Sequence, residues 1–208
     1  MSDMDSYITI RHHAEFEYED RKSIFIAEAA PVETEAEAVA FIDSVKRKYP
    51  DANHHVYAYV LKENSISRFT DDREPSGTAG LPVLDTMRKR GCTNAAIVVV
   101  RYFGGTLLGT GGLVRAYSGA ASGALNAAEV ITYDIYATFE IETSYSDYQR
   151  LGSIFTAVGF RQSNIDYADA VRVSGSVQRD AADELLDKLI QTTSGRAIVK
   201  KTGEKYDF

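Results

Sequence analysis

The stretch from Phe69 to Ala120 constrains the fold more than any other part of the chain. It holds two glycine-rich segments, Asp71-Asp72-Arg73-Glu74-Pro75-Ser76-Gly77-Thr78-Ala79-Gly80 and Gly104-Gly105 through Gly109-Thr110-Gly111-Gly112. Each runs directly into a helical pattern. Between them lies an apolar run, Ala95 to Val100, bounded by Asn94 and Arg101. That run is too short to span a bilayer and rich in valine, so it reads as a buried strand. Glycine at this density is costly unless the backbone must bend sharply or admit a close neighbour. A site is expected here.

The chain has 208 residues, 44% hydrophobic and 25% charged, which suits one large domain or two modest ones with packed cores. Cys92 is the only cysteine, which excludes an intramolecular disulfide and a multi-cysteine zinc site. The opening MSDMDSYITIRHH is acidic and lacks the pattern of a secretory signal. No run reaches membrane length, so a cytoplasmic location without membrane partners is the expectation. The formal net charge is -7. Residues 1–132 carry 14 Lys/Arg against 18 Asp/Glu, and residues 133–208 carry 9 against 12. Any nucleic-acid contact must therefore use a local patch. Three basic clusters exist: Lys46-Arg47-Lys48, Arg88-Lys89-Arg90, and Lys200-Lys201 with Lys205. Two fall at the ends of helical patterns, where cations complement the helix dipole.

Taken in order, Tyr7 to Ala30 predicts two strands around a polar turn at Glu19 to Lys22. Thr34 predicts a helix N-cap, with Glu37 completing a capping box and Ala36, Val39, Ala40, Phe41 or Ile42, and Val45 forming the apolar face. His54 to Leu61 reads as a strand, followed by a polar turn at 62–65. A helix is expected from Pro82 to Gly91, and a small-residue helix from Leu113 to Ala128. Beyond Ile135 the pattern changes to strand (Tyr136 to Glu142), helix (Tyr145 to Val158, closed by Gly159), strand (Phe160 to Tyr167) and strand (Ala170 to Val177). A helix (Asp180 to Thr192) and a strand (Ala197 to Lys201) complete it. That β-α-β-β-α-β order is the ferredoxin-like pattern. The domain boundary is placed between residues 132 and 133.

The motifs Asp71 to Gly80, Arg101-Tyr102-Phe103-Gly104-Gly105 and Leu108 to Tyr117 resemble the signature of the IMPACT/YigZ family. Lys22-Ser23 with Phe25, and Ala52-Asn53-His54-His55 before Tyr57-Ala58-Tyr59, resemble its flanking segments. The resemblance implies an α+β fold. Its N-terminal domain should be similar to domain 2 of a small-subunit ribosomal protein, a β-α-β sandwich. A ferredoxin-like domain of the elongation factor G type should follow. The resemblance also implies a translation-associated role, since eukaryotic relatives regulate translation. The chain departs from the family pattern at Arg73, where glycine is usual, at Leu81, where a base is frequent, and at Thr106-Leu107, which lacks the usual lysine.

Several residues carry the chemistry. A glycine-fed helix start offers unsatisfied N–H groups and a favourable dipole to an anion. Gly104, Gly105, Gly109, Thr110, Gly111 and Gly112, with Arg101 and Arg115 as charge partners, form one candidate anion or nucleic-acid site. Ser76, Gly77 and Thr78 form a second. Neither is a phosphate-binding P-loop, because Thr110 stands where lysine is required. A dinucleotide fingerprint is also excluded, because Val114 occupies the third glycine position. Asp71, Asp72 and Glu74 are candidates for general acid/base work, and His54, Asp71 and Asp72 are weak candidates for a metal. Adjacent His54 and His55 point to opposite faces of a strand. No cofactor is expected. Two functions follow: a binding module contacting RNA, the ribosome or a translation factor, or an enzyme acting on a phosphorylated or nucleotide-like small molecule, with a phosphate-bearing ligand as its partner.

Overall fold

The structure, a computed structural model, describes residues 6–62 and 65–208. The turn expected at 62–65 lies partly outside the described residues. The fold is α+β and divides into two compact units, residues 7–132 and residues 133–208 together with residue 6. Each is taken by itself.

The N-terminal unit comprises strands β1 (Tyr7–Ile10), β2 (Ala14–Asp20), β3 (Ser23–Pro31), β4 (His54–Val60), β5 (Ser67–Thr70) and β6 (Ala95–Tyr102). Its helices are α1 (Glu35–Lys48), α2 (Gly80–Lys89) and α3 (Gly109–Ala127). The sheet order is β2-β3-β6-β4-β5 with every neighbouring pair antiparallel. Strand β6 is central and buried on both faces. Its Ala95, Ile97 and Val99 join a core with Leu84 and Met87 of α2 and Leu113 and Tyr117 of α3. Its Ala96, Val98 and Val100 pack with Ala38, Ile42 and Val45 of α1. Burial on both faces explains why the run is apolar throughout instead of alternating. The stretch Tyr7 to Ala30 holds three strands, not two. The first is tied in by a bridge from Ile8 to Cys92.

Helix α1 buries Ala38, Ile42 and Val45, while Val39 is 46% exposed. The apolar stripe thus lies one register away from most of the predicted face. Ile42 and Val45 offer more area to bury than Ala36 and Ala40, and they decide the rotation of the helix. Thr34 Oγ1 accepts from the Glu37 N–H at 3.2 Å. The Glu37 carboxylate reaches past Thr34 to the N–H of Glu33 at 2.7 Å, so the cap extends one residue further than a standard box.

In the C-terminal unit, β7 (Val130–Thr143), α4 (Tyr145–Val158), β8 (Arg161–Tyr167), β9 (Val171–Gln178), α5 (Ala182–Thr193) and β10 (Ile198–Asp207) follow one another. The order β10-β7-β9-β8 is antiparallel throughout. Strand β9 therefore lies between β7 and β8, the split arrangement that defines the ferredoxin-like sheet. Phe139, Ile141, Leu151, Phe155, Val173, Leu185 and Leu189 fill the core. Strand β10 continues past the expected stop at Lys201, through an irregularity between Lys201 and Gly203. Among the described residues, no helix is long and apolar enough to cross a membrane.

Candidate functional site

Asp71, Asp72 and Glu74 are near neighbours in sequence, and their carboxylates go three different ways. The Asp71 carboxylate accepts from the backbone N–H groups of Gly77 (2.9 Å), Ala79 (3.1 Å) and Gly80 (2.8 Å). It therefore fills the nest predicted at Ser76, Gly77 and Thr78 and caps α2, which starts at Gly80 instead of Pro82. That candidate anion site is occupied by the protein's own carboxylate. Asp72 accepts from the His55 N–H at 2.6 Å through its side chain. Its carbonyl accepts from His54 Nδ1 at 2.8 Å. Since a carbonyl cannot donate, the His54 proton sits on Nδ1, and in the neutral ring Nε2 is a bare acceptor.

Glu74 is buried at 8% exposure. It accepts from Arg101 Nη1 at 2.5 Å and from the Tyr117 hydroxyl at 2.8 Å, while His54 Nε2 lies 3.7 Å away. Burial, reinforced by the Glu74 charge, holds the Tyr117 phenol well above its ordinary range, so it remains a donor. Antiparallel register assembles the group: Arg101 of β6 stands opposite Phe25 of β3 and His54 of β4. The Arg101 guanidinium lies 5.4 Å from the Phe25 ring centroid and 5.6 Å from that of Phe103. Its Nε is buried and has no acceptor among the described residues.

The three acids are thus committed to a cap, a strand end and a buried ion pair. Among the described residues, no three His, Cys, Asp or Glu side chains are placed to hold a metal ion. The weak metal candidates His54, Asp71 and Asp72 are directed to separate partners, because each satisfies a nearby backbone group. His55 turns the other way, toward the Tyr49 carbonyl at 2.8 Å.

The second glycine segment behaves differently. Gly109 to Gly112 do not precede the helix but form the first turn of α3. Gly109 enters it with φ +72°, a backbone that side chains disfavour. Gly104 is required for another reason: a Cβ there would collide with the backbone of Lys22 and Ser23. No side chain caps α3, and its first turn has no acid. Arg115 is exposed, and its Nη1 lies 3.6 Å from where a Cβ on Gly111 would stand. An open cleft of about 520 Å³ adjoins this turn. Its polar side is Asn53, His54, Glu74, Arg101 and Thr110, and its apolar side Pro75, Phe103, Leu107, Leu108 and Leu113. Leu107 is 81% exposed and Phe103 47%.

The sequence pattern did not single out Asn53, Phe103, Tyr117 or Arg21. Asn53 Oδ1 accepts from the Phe103 N–H at 2.8 Å, and the Asn53 N–H donates to the Arg101 carbonyl at 3.0 Å. Arg21 donates to the Leu107 carbonyl at 3.4 Å. Asn53, Phe103 and Tyr117 carried a signal only as members of the quoted motifs, and Arg21 only as part of a polar turn. The basic clusters are mostly engaged. Lys48 bonds Glu15 and Glu28, Arg90 bonds Ser122 and Asn126, and Lys201 and Lys205 pair with Glu204 and Asp207.

Comparison with known proteins bears on this geometry. The Impact N-terminal domain matches residues 21–125, a span that includes the whole cleft, and a domain of unknown function (DUF1949) matches residues 141–196. IMPACT family member YvyE of Bacillus subtilis is 33% identical over 199 residues, covering 95% of this chain and 92% of that protein. The chain belongs to the IMPACT family. IMPACT family member YigZ of Escherichia coli is 46% identical over 110 residues, 51% of this chain and 54% of its own. A crystal structure of a hypothetical protein aligns over 95% of this chain and 98% of its own, with a TM-score of 0.60 and 30% identity. Eukaryotic proteins named IMPACT match less than half of this chain.

Proposed function

We propose that this IMPACT family member is a translation-associated binding protein that contacts RNA, the ribosome or a translation factor through the surface around the first turn of α3. Family membership supports the regulatory, translation-linked part of the reading. One observation carries the contact surface. The first turn of α3 is uncapped and free of acids, with exposed Arg115 beside it and an apolar-sided cleft next to it. On a chain of net charge -7, that is the local patch an anionic partner needs.

The enzyme reading, action on a phosphorylated or nucleotide-like small molecule, draws on His54, which lines the cleft. It loses support because Asp71, Asp72 and Glu74 are all engaged in structural contacts. A general base must reach its substrate with a free lone pair. The test is co-sedimentation with ribosomes from a lysate. The expected result is association that disappears as salt rises from about 50 to about 200 mM. Absence from every RNA-containing fraction at low salt would overturn the proposal.

A further inference from the structure

We propose that the cleft and its rim take an acidic segment of a partner protein, with one apolar side chain of that segment seated against Phe103 and Leu107. This rests on the contact reading above and commits it to a protein occupant in place of RNA.

The apolar surface is the first observation. Phe103, Leu107 and Val114 are all exposed. Thr110, which lines the cleft, lies four residues before Val114 on the same face of α3. From Phe103 and Leu107 the apolar side of the cleft continues to Pro75, Leu108 and Leu113. An exposed apolar surface rimmed by polar groups marks a place where a partner packs. The rim is the second observation, and it is basic. Arg21 donates to the Leu107 carbonyl at 3.4 Å, the Lys22 backbone packs against Gly104, and Arg115 lies beside Gly111. All three side chains are exposed, and none is ion-paired among the described residues. In the turn that carries Arg21 and Lys22, Glu19 stands opposite Ile24 and so points to the sheet face away from Phe25 and α3. Asp20 remains beside them, and Asp72 is offset by Arg73 at 3.8 Å. Cations therefore outnumber acids along this rim, on a chain of net charge -7. That complementarity selects an acidic partner.

The interior of the cleft favours a peptide over a nucleic acid. Glu74 and Arg101 form a neutral pair in its wall, so the interior attracts neither sign and suits an apolar side chain. The volume of about 520 Å³ has room for one large side chain and its flanking backbone. His54 lines the polar side with Nδ1 committed to the Asp72 carbonyl, and a peptide brings backbone N–H groups for the other ring nitrogen. Base stacking needs open aromatic rings. The apolar side offers one, Phe103, and the Arg101 guanidinium already lies 5.6 Å from its centroid. An apolar anchor in a pocket, ringed by charges that set the choice of partner, is the anatomy of a protein–protein contact.

Selection of a random-peptide display library on the full chain reads the chemistry of the occupant without presuming its sequence. Enriched peptides are expected to carry Asp or Glu around one Leu, Ile or Phe, and their calorimetric affinity should fall as salt rises. Leu107→Asp, and Arg21→Glu combined with Arg115→Glu, alter exposed side chains only. Each variant should weaken the enriched peptide about tenfold or more while melting like the parent. An oligouridylate should fail to displace the peptide. No enrichment, enrichment of basic or uncharged peptides, or binding by both variants as tight as the parent's would overturn the proposal. Displacement by the oligouridylate would overturn it too and give the surface to RNA. Ribosome co-sedimentation of the parent chain separates this proposal from the reading beneath it. If it persists when the peptide test fails, the contact stands and the acidic occupant is wrong. If the peptides bind as expected and co-sedimentation is absent, the occupant stands and the translation-linked reading falls.

Discussion

Arg73 sits at φ +69° directly after Asp72 at φ +39°. The left-handed region costs a residue with a Cβ about 1–2 kcal/mol, which accounts for the family's usual glycine here. Glycine would return about 0.5–1 kcal/mol of that through its greater freedom in the unfolded chain. Arg73→Gly is therefore expected to stabilise the protein by about 0.5–1 kcal/mol in urea denaturation, and Arg73→Ala to give no such gain. A destabilised Arg73→Gly would mean that the contact of Arg73 with the Asn53 carbonyl, at 3.5 Å, is worth more than its length indicates. The strain persists because Asp72 holds the ends of the turn through His54 and His55.

Helix starts distinguish the elements. Thr34 caps α1, the Asp71 carboxylate caps α2, and Ser144 Oγ accepts from the Asp147 N–H at 3.1 Å on α4; α3 and α5 have no side-chain cap, but α5 carries Asp183 and Glu184 in its first turn whereas α3 carries no acid there. Asp147 in the first turn of α4 is tied to Arg196 at 2.9 Å. The hydrogen bond from that guanidinium holds its carboxyl below the usual carboxylate range. A depressed pKa contributes stability that is complete above the unfolded value, about 3.9, and is lost as pH falls through the lower folded value. Asp147→Asn should therefore be less stable than the parent at pH 5, with the difference narrowing as pH falls below about 4. Chemical denaturation at pH 5 and pH 3 reads this directly. A gap independent of pH would show that the cap contributes through geometry alone.

At the scale of the whole molecule the core of the first compact unit, in two clusters that flank its sheet, and the core of the second share no residue. Leu185→Ala in α5 removes a fully buried side chain from the second core and is expected to cost about 2–5 kcal/mol. Hydrogen exchange should then accelerate in β7, β9, α4 and α5 and hold steady in β3, β6 and α3. Uniform acceleration would mean that the chain unfolds as one unit. The local elements were legible wherever punctuation was local: α4 runs from Tyr145 to Val158 and closes at Gly159 as expected, since the stop lies beside the helix it bounds. Helix α3 was misplaced by four residues because glycine disfavours helix, and packing of the rest of α3 overrides that propensity. The acids were not legible at all. Whether Asp71 binds a metal or caps α2 depends on N–H groups six to nine residues away. The meeting of Arg101, His54 and Phe25 depends on antiparallel register between strands far apart in sequence. By itself the sequence determined the family, the fold class and the two glycine segments, because these are written in neighbouring residues. Only the tertiary structure decided which of those segments stays open, because that turns on which buried donors find an acceptor within the protein.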